Sequence, residues 1–184
     1  NTFGVNEISA YTSAYKIESI LTIPAVNLGV ALSVYIGQNV GAGEYDRTRQ
    51  GLKDSFKIAA VFTTLAMAIL WFASPLLMVL VVGKEMAVIP IGVQYLRIIS
   101  VTFPLCVSLY LLTNFLRGAG EIAYPLFNTL LELCFRTFSA FVLAHYFGFV
   151  GVLLCRPLSF VVSTISLSCR LLSGKWKDKI NHSV

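Results

Sequence analysis

Charged residues are absent from three long stretches of the chain, residues 19–43, 58–82 and 98–116. Each stretch reaches the length of about 18 apolar residues that marks a candidate transmembrane helix. Gly, Pro and charged residues lie between the stretches and mark the turns. The pattern therefore predicts five membrane-crossing helices, approximately residues 8–38, 55–82, 91–115, 122–146 and 149–172, followed by a tail at 173–184.

The amino-acid composition indicates that these helices lie in lipid. Hydrophobic residues make up 57% of the chain and charged residues 12%, and the mean hydropathy is +0.77. Soluble domains contain about 25% charged residues, so this chain has too few polar side chains to cover a surface in water. We therefore predict an all-α transmembrane helical bundle, with residues 1–184 forming one domain whose surroundings are the lipid bilayer.

Basic residues predict the orientation of the helices, because loops rich in Lys and Arg stay on the cytoplasmic side of a membrane. Most of them occur in alternate connections and in the tail: Arg47, Arg49, Lys53 and Lys57, then Arg117, then Arg170, Lys175, Lys177 and Lys179. The C-terminus is therefore expected in the cytoplasm, and five crossings place Asn1 outside. A chain that starts there without a signal sequence is expected to be a fragment that lacks at least one preceding helix.

The sequence also argues against several classes of function. The net charge of +5 follows mostly from the orientation signal, so a nucleic-acid partner is not expected. The four cysteines form no CxxC pair, and neither His145 nor His182 has a metal-ligating neighbour at a suitable spacing. No serine elbow is present. We therefore predict neither an enzyme nor a metal site.

Three charged residues within the predicted helices point to a polar interior. Glu132 and Arg136 are spaced i, i+4, which favours an ion pair within one helix. Arg156 lies at a depth similar to that of Arg136, so two arginines are expected to face one carboxylate. Because a charge near the bilayer centre costs roughly 2.5–3.5 kcal/mol, the extra arginine predicts a water-filled cavity, an anionic ligand or a carboxylate from outside the chain. Alternatively, Arg156 extends outward to the membrane surface.

Polar and small residues also recur at helical spacing along the first predicted helix: Tyr11, Tyr15, Glu18, Thr22, Ala25, Gly29 and Ser33. The stripe is either a helix-packing surface with an aromatic anchor at the membrane interface, or the wall of a cavity. Asn27 is a further candidate for a substrate or ion pathway. Pro24, Pro104 and Pro157 are expected to interrupt their helices, which suits a protein that bends between states.

Several short motifs resemble those of the multidrug and toxic compound extrusion (MATE) family. Residues 36–43, Ile-Gly-Gln-Asn-Val-Gly-Ala-Gly with Gln38 and Gly41, resemble a cytoplasmic connection of that family. Residues 116–120, with Arg117, Gly118 and Gly120, resemble a second cytoplasmic turn. Arg136 fits an arginine often seen in the helix that follows. The resemblance covers essentially the whole chain.

The resemblance implies a protein of twelve helices in two six-helix lobes, of which this chain is helices eight to twelve. Such a protein lies in the plasma membrane, the inner membrane of a bacterium, and exports small organic cations and drugs in exchange for sodium or protons by alternating access. Its partners include the first lobe and the seventh helix. The sodium or proton site is expected largely outside this chain, and no other cofactor is implied.

Two departures from the family pattern leave alternatives open. The third predicted helix has no Asp, and Arg156 stands where the family commonly has a small or apolar residue, which disfavours cationic drugs. A flippase of anionic lipid-linked saccharides in the same superfamily is therefore an alternative, and a membrane scaffold that does not transport is another. If the chain belongs to a transporter, we expect Glu18 or Glu132 to titrate during transport.

Overall fold

The computed structural model describes residues 4–83 and 85–174, and within these ranges the chain consists of helices and turns without strands. The helices are α1 (Val5–Gly41), α2 (Tyr45–Phe72), α3 (Ser74–Val82), α4 (Ile89–Gly118) and α5 (Ala123–Leu172). Four of them, α1, α2, α4 and α5, are long and apolar enough to cross a membrane. The predicted all-α transmembrane fold is therefore confirmed. Asn1, Lys84 and the basic tail from Lys175 onward lie outside the described residues.

Helix α5 contains two antiparallel arms, residues 123–147 and 149–172. Gly148 has a φ of +59° and a ψ of −138°, which are not helical, and a positive φ is open to Gly without steric cost. The chain reverses there, because the Tyr124 hydroxyl lies 2.9 Å from the Ser166 hydroxyl although the two residues are far apart in sequence. Each arm is about 36 Å long at 1.5 Å per residue, enough for one crossing.

The second predicted helix, residues 55–82, is interrupted in the structure. Helix α2 ends at Phe72 and α3 begins at Ser74, with Ala73 between them. Pro75 explains the break, because it has no N–H to donate to the carbonyl of Trp71. The hydroxyl of Ser74 donates to that carbonyl instead, at 3.4 Å. At its other end α2 begins at Tyr45, ten residues before the predicted bound, because the charged residues that precede the apolar stretch also form helix.

The three prolines that were expected to interrupt helices lie within helical segments, Pro157 in the second arm of α5. Pro24 is within α1, Pro104 within α4 and Pro157 within α5. The structure therefore has no helix end at these positions. The bending between states that they predict concerns a motion and stays a prediction.

Helix α4 lies at the centre of the bundle. It packs against α1, α2, α3 and α5, and half of its most apolar window is buried. Its large side chains, among them Tyr95, Phe103 and Phe115, are almost completely enclosed. A helix that is apolar on every side is stable when neighbours surround it, so α4 is the element on which the others pack.

The crossing of α1 and α4 is close because glycine lies at the contact. A Cβ atom at Gly118 would lie 2.5 Å from the carbonyl oxygen of Ser33 and 3.0 Å from Cβ of Ile36. Gly41, at the C-terminal end of α1, has open space around it. Close approach of backbones through small residues is a common way for helices to associate in membranes.

A Gly118→Ala substitution in the full-length protein is expected to lower its thermal unfolding midpoint, because the methyl group forces α1 and α4 apart. Overpacking of this kind costs about 1–3 kcal/mol. Gly41→Ala is the matched control and should leave the midpoint unchanged or slightly raised. Equal midpoints for the two variants in detergent would show that α1 and α4 do not cross at Gly118.

Candidate functional site

A carboxylate, a phenol and a guanidinium meet inside the bundle, and each comes from a different helix. Arg156 of α5 donates from Nη1 to Oε2 of Glu18 on α1 at 2.6 Å. The same nitrogen donates to the hydroxyl of Tyr95 on α4 at 2.7 Å. The Tyr95 hydroxyl in turn donates to Oε2 of Glu18 at 2.5 Å. We call these three residues the ionic triad.

The triad is almost completely shielded. Glu18 is 2% exposed and Tyr95 1%, and the Arg156 side chain is 15% exposed. The guanidinium also lies over two aromatic rings, 5.2 Å from the centroid of Tyr15 and 5.5 Å from that of Phe160. Rings at these distances attract a cation through their quadrupole, so the charge of Arg156 is stabilised by a carboxylate, a hydroxyl and two π faces.

This geometry corrects the expected pairing of charges. Arg156 was expected to share Glu132 with Arg136, but its carboxylate partner is Glu18 of another helix. Arg136 and Glu132 do approach each other within one helix, with 3.7 Å between Nη1 and Oε1. That distance exceeds a hydrogen bond. The extra basic charge that sequence reasoning assigned to Arg156 is therefore neutralised by a residue of this chain.

A cavity of about 990 Å³ lies between α1 and the two arms of α5. Helix α1 contributes Tyr11 and Tyr15, and the remaining wall comes from α5, including Arg136, Phe141, His145, Val152, Cys155 and Arg156. The two tyrosine rings stack, with centroids 6.3 Å apart and an angle of 9° between their planes. The wall is thus mostly apolar and aromatic, with a few polar groups.

A second cavity of about 210 Å³ lies along α1 on the other side of Arg156. Its lining is more polar and includes Glu18, Thr22, Asn27 and Tyr110. Tyr15 and Arg156 line both cavities. These two side chains, in contact with each other, therefore separate the larger cavity from the smaller one.

The candidate residues for a substrate or ion pathway are thus divided between two places. Tyr11, Tyr15, Arg136 and Arg156 line the larger cavity, and Tyr15, Glu18, Asn27 and Arg156 line the smaller one. Glu132 lines neither and lies beside Arg136. The motif residues lie elsewhere, at or beside the C-terminal ends of α1 and α4: Gln38, Gly41, Arg117, Gly118 and Gly120.

Sequence reasoning did not identify Tyr95, the third member of the triad. Tyr95 is one of two tyrosines in α4, and its sequence context does not distinguish it from Tyr110. A second interaction was also missed: Glu121, which is 0% exposed, accepts a hydrogen bond from Nε of Arg170 at 2.8 Å. The guanidinium of Arg170 lies 5.0 Å from the ring centroid of Tyr124. These contacts attach the turn between α4 and α5 to the end of α5.

The described residues, 4–83 and 85–174, contain neither a cluster of metal-ligating side chains nor a disulfide. No group of three or more His, Cys, Asp or Glu side chains there is arranged to hold a metal ion. All four cysteines are free; Cys106 and Cys155 are buried, and Cys134 and Cys169 are exposed. The arrangement therefore consists of two cavities, with an ionic triad at the boundary between them.

Comparison with known proteins identifies the family. The family model described as MatE matches residues 1–142. The chain belongs to the MATE family. The family that the sequence resembles is thereby confirmed. Members of this family are transporters and not enzymes, so the chain is part of an integral membrane transporter.

Two relatives from Bacillus subtilis match nearly the whole chain. The probable multidrug resistance protein YoeA is 25% identical over 97% of this chain and 39% of its own length. The probable multidrug resistance protein YpnP is 27% identical over 96% of this chain and 40% of its own. A protein of Shewanella oneidensis named FAD transporter is 37% identical, but over 38% of this chain and 16% of its own length. The chain thus spans about two fifths of the length of the relatives that match it throughout.

A solved structure supports the fold. A crystal structure of a proline-to-alanine mutant of a MATE protein superposes with a TM-score of 0.83 and 18% identity, over 90% of this chain and 37% of the other. At that identity the likeness concerns the fold alone. The bundle described above is therefore the fold of part of a MATE transporter.

Tyr95→Phe in the full-length protein is expected to lower its thermal unfolding midpoint, because the variant removes a hydroxyl that contacts both charges of the triad. Loss of a buried hydrogen bond to a charged group costs about 1–3 kcal/mol. Tyr11→Phe is the matched control, since its ring packs on Tyr95 at 5.3 Å while its hydroxyl has no hydrogen bond within the described residues. Unchanged midpoints for both variants in detergent would contradict the triad.

Proposed function

We propose that this chain is the greater part of one lobe of a secondary active transporter, which exports small organic molecules, drugs among them, in exchange for sodium or protons. The chain supplies helices eight to twelve of the twelve that the family resemblance implies. The remaining helices, including the seventh, belong to the rest of the protein. The transporter lies in the plasma membrane, the inner membrane in a bacterium, with its C-terminus in the cytoplasm.

The larger cavity is the observation that best supports this proposal. Its volume of about 990 Å³ is at the upper end of the roughly 300–1,000 Å³ typical of sites for drug-sized ligands. Its apolar and aromatic wall, with a few polar groups, suits amphiphilic organic molecules. Alternating access needs a substrate site that is exposed to each side of the membrane in turn as the lobes move, and a cavity on the wall of one lobe is compatible with it.

The coupling ion is proposed to bind mainly outside this chain. Helix α4 has no Asp among residues 89–118, and the buried carboxylate of Glu18 already has Arg156 as its counter-ion. A free sodium ion would have to compete with a guanidinium that is held by a second hydrogen bond and two aromatic rings.

A flippase of anionic lipid-linked saccharides is the second candidate. The observation that favours it is the position of Arg136 and Arg156 on the wall of the larger cavity, because guanidinium groups bind phosphate oxygens well. A relative named FAD transporter likewise argues for considering organic substrates other than cationic drugs. A scaffold that does not transport is the third candidate, and it predicts no gradient-dependent movement of any solute.

Gradient-driven transport by the full-length protein is the expected result in proteoliposomes. We expect movement of at least one dye from a set containing ethidium, a rhodamine and fluorescein. The sodium and proton gradients are collapsed separately, and we expect the collapse of one of them to stop the movement. The gradient whose collapse stops transport identifies the coupling ion. Liposomes without protein are the control for leakage.

Absence of movement for every dye, from protein shown to be folded and inserted, would contradict drug export. A fluorescent anionic lipid that then crosses the bilayer in the presence of the protein would favour the flippase. If neither the dyes nor the lipid moves, the scaffold is favoured.

A further inference from the structure

The charges on the wall of the larger cavity are all of one sign. Its ionisable lining includes Arg136, Arg156 and His145, and no Asp or Glu lines it among the residues that the structure describes. The nearest carboxylates face elsewhere: Glu18 lines the smaller cavity, and Glu132 lies beside Arg136 outside the lining. The charged groups that face the larger cavity are therefore guanidinium groups, which hydrogen-bond to anions and not to cations.

Arg136 is the arginine of the larger cavity whose guanidinium N–H groups are available to hydrogen-bond a ligand. Its side chain is 38% exposed, and its approach to Glu132, at 3.7 Å, is too long for a hydrogen bond. No hydrogen bond to its guanidinium occurs within residues 4–83 and 85–174. A guanidinium carries five N–H donors in one plane and binds a carboxylate or phosphate through two of them at once. Arg136 therefore presents unused donors to the cavity.

Arg136 also lies far from the membrane surface. It is thirteen residues from the start of α5 at Ala123, about 20 Å along the helix axis. At that depth a charged side chain is found where water, an opposite charge or a ligand is available to it. Glu132 supplies part of that compensation from one side, and the cavity is on the other.

Arg156 has a different role in the same wall. Its Nη1 atom is engaged by Glu18 and Tyr95, so the triad holds it in place. An anion in the cavity would meet a fixed, largely neutralised group at Arg156 and an available one at Arg136. The charged group of a ligand is therefore expected at Arg136.

The uncharged part of a ligand has its own surface. Tyr11 and Tyr15 form a stacked pair on the α1 side of the cavity, and Leu133 and Phe141 contribute apolar surface from α5. Aromatic rings pack well on such surfaces in offset or edge-on arrangements. The cavity thus combines a cationic group with an aromatic surface.

We propose that the larger cavity binds an organic anion with an aromatic or apolar body, whose negative group is held by Arg136 and whose body lies against Tyr11 and Tyr15. This assignment rests on the proposed transport function and specifies the charge of the substrate. It differs from the organic cations that the family resemblance implies. A soluble aromatic anion and an anionic lipid share the required chemistry.

Binding to purified full-length protein in nanodiscs of neutral lipid tests the assignment. Fluorescein and a cationic rhodamine share one ring system and differ in charge, so fluorescence polarisation of each isolates the effect of charge. Wild-type protein is expected to bind fluorescein at least about tenfold more tightly than the rhodamine, the ratio that corresponds to one charge-assisted hydrogen bond. Equal binding, or tighter binding of the rhodamine, overturns the proposal.

Substitution of Arg136 locates the site. Arg136→Gln should weaken fluorescein binding about tenfold or more, and Arg136→Lys, which keeps the charge, should recover part of it. Arg97→Gln is the control, because Arg97 is an exposed arginine of α4 that does not line the cavity. Its guanidinium carbon lies 5.9 Å from the ring centroid of Trp71. Fluorescein binding that is unchanged in Arg136→Gln, or weakened equally in Arg97→Gln, overturns the proposal.

Two further measurements separate the possible outcomes. Competition between fluorescein and a short-chain phosphatidylglycerol, compared with phosphatidylcholine of the same chain length, shows whether the anion is a lipid or a soluble molecule. Binding is measured without an ion gradient, so it is independent of transport. Arg136-dependent binding of fluorescein in a protein that moves no solute would therefore refute the proposed function and leave the anion site standing.

Discussion

A guanidinium inside a helical bundle requires an opposite charge nearby, because the membrane interior lacks the water that would otherwise solvate it. Arg156 meets this requirement through Glu18 and Tyr95, and the three residues come from α5, α1 and α4. Other features of the fold serve this contact. The reversal at Gly148 brings the second arm of α5 back across the bundle, and the close crossing at Gly118 brings α1 against α4. The triad is thus the point at which three helices distant in sequence are held together.

The triad also determines the chemistry of the two cavities. Because Arg156 engages Glu18, the buried carboxylate is directed to the smaller cavity and away from the larger one. The larger cavity is left with Arg136 and an aromatic surface from α1. The wall of the larger cavity thus combines guanidinium groups with apolar and aromatic surface. The chain has the fold of the MATE family, and the proposed preference for an organic anion rests on Arg136.

The helices could be predicted from sequence because the length of each charge-free stretch matches the thickness of a membrane. The glycines between these stretches mark the turns. The reversal at Gly148 was predicted for the same reason. The break at Pro75 was missed, since a proline near the end of a long apolar stretch does not change its hydropathy. The partner of Arg156 was assigned wrongly because Glu132 lies at a similar predicted depth on the neighbouring helix, whereas Glu18 comes near Arg156 only after α1 and α5 have packed on α4. Tyr95 was missed for a related reason: a phenol in an apolar helix shows its role only when its neighbours are known.

A double-mutant cycle between Glu18 and Arg156 tests the central claim most directly. Glu18→Met and Arg156→Met each leave one buried charge without its partner, which typically costs about 3–5 kcal/mol, whereas replacing both by apolar residues of similar size is often neutral. The thermal unfolding midpoint of the full-length protein should therefore fall in each single variant and return close to the wild-type value in the double variant. Losses that simply add in the double variant would show that the two charges do not pair, and the account of the bundle would have to be abandoned.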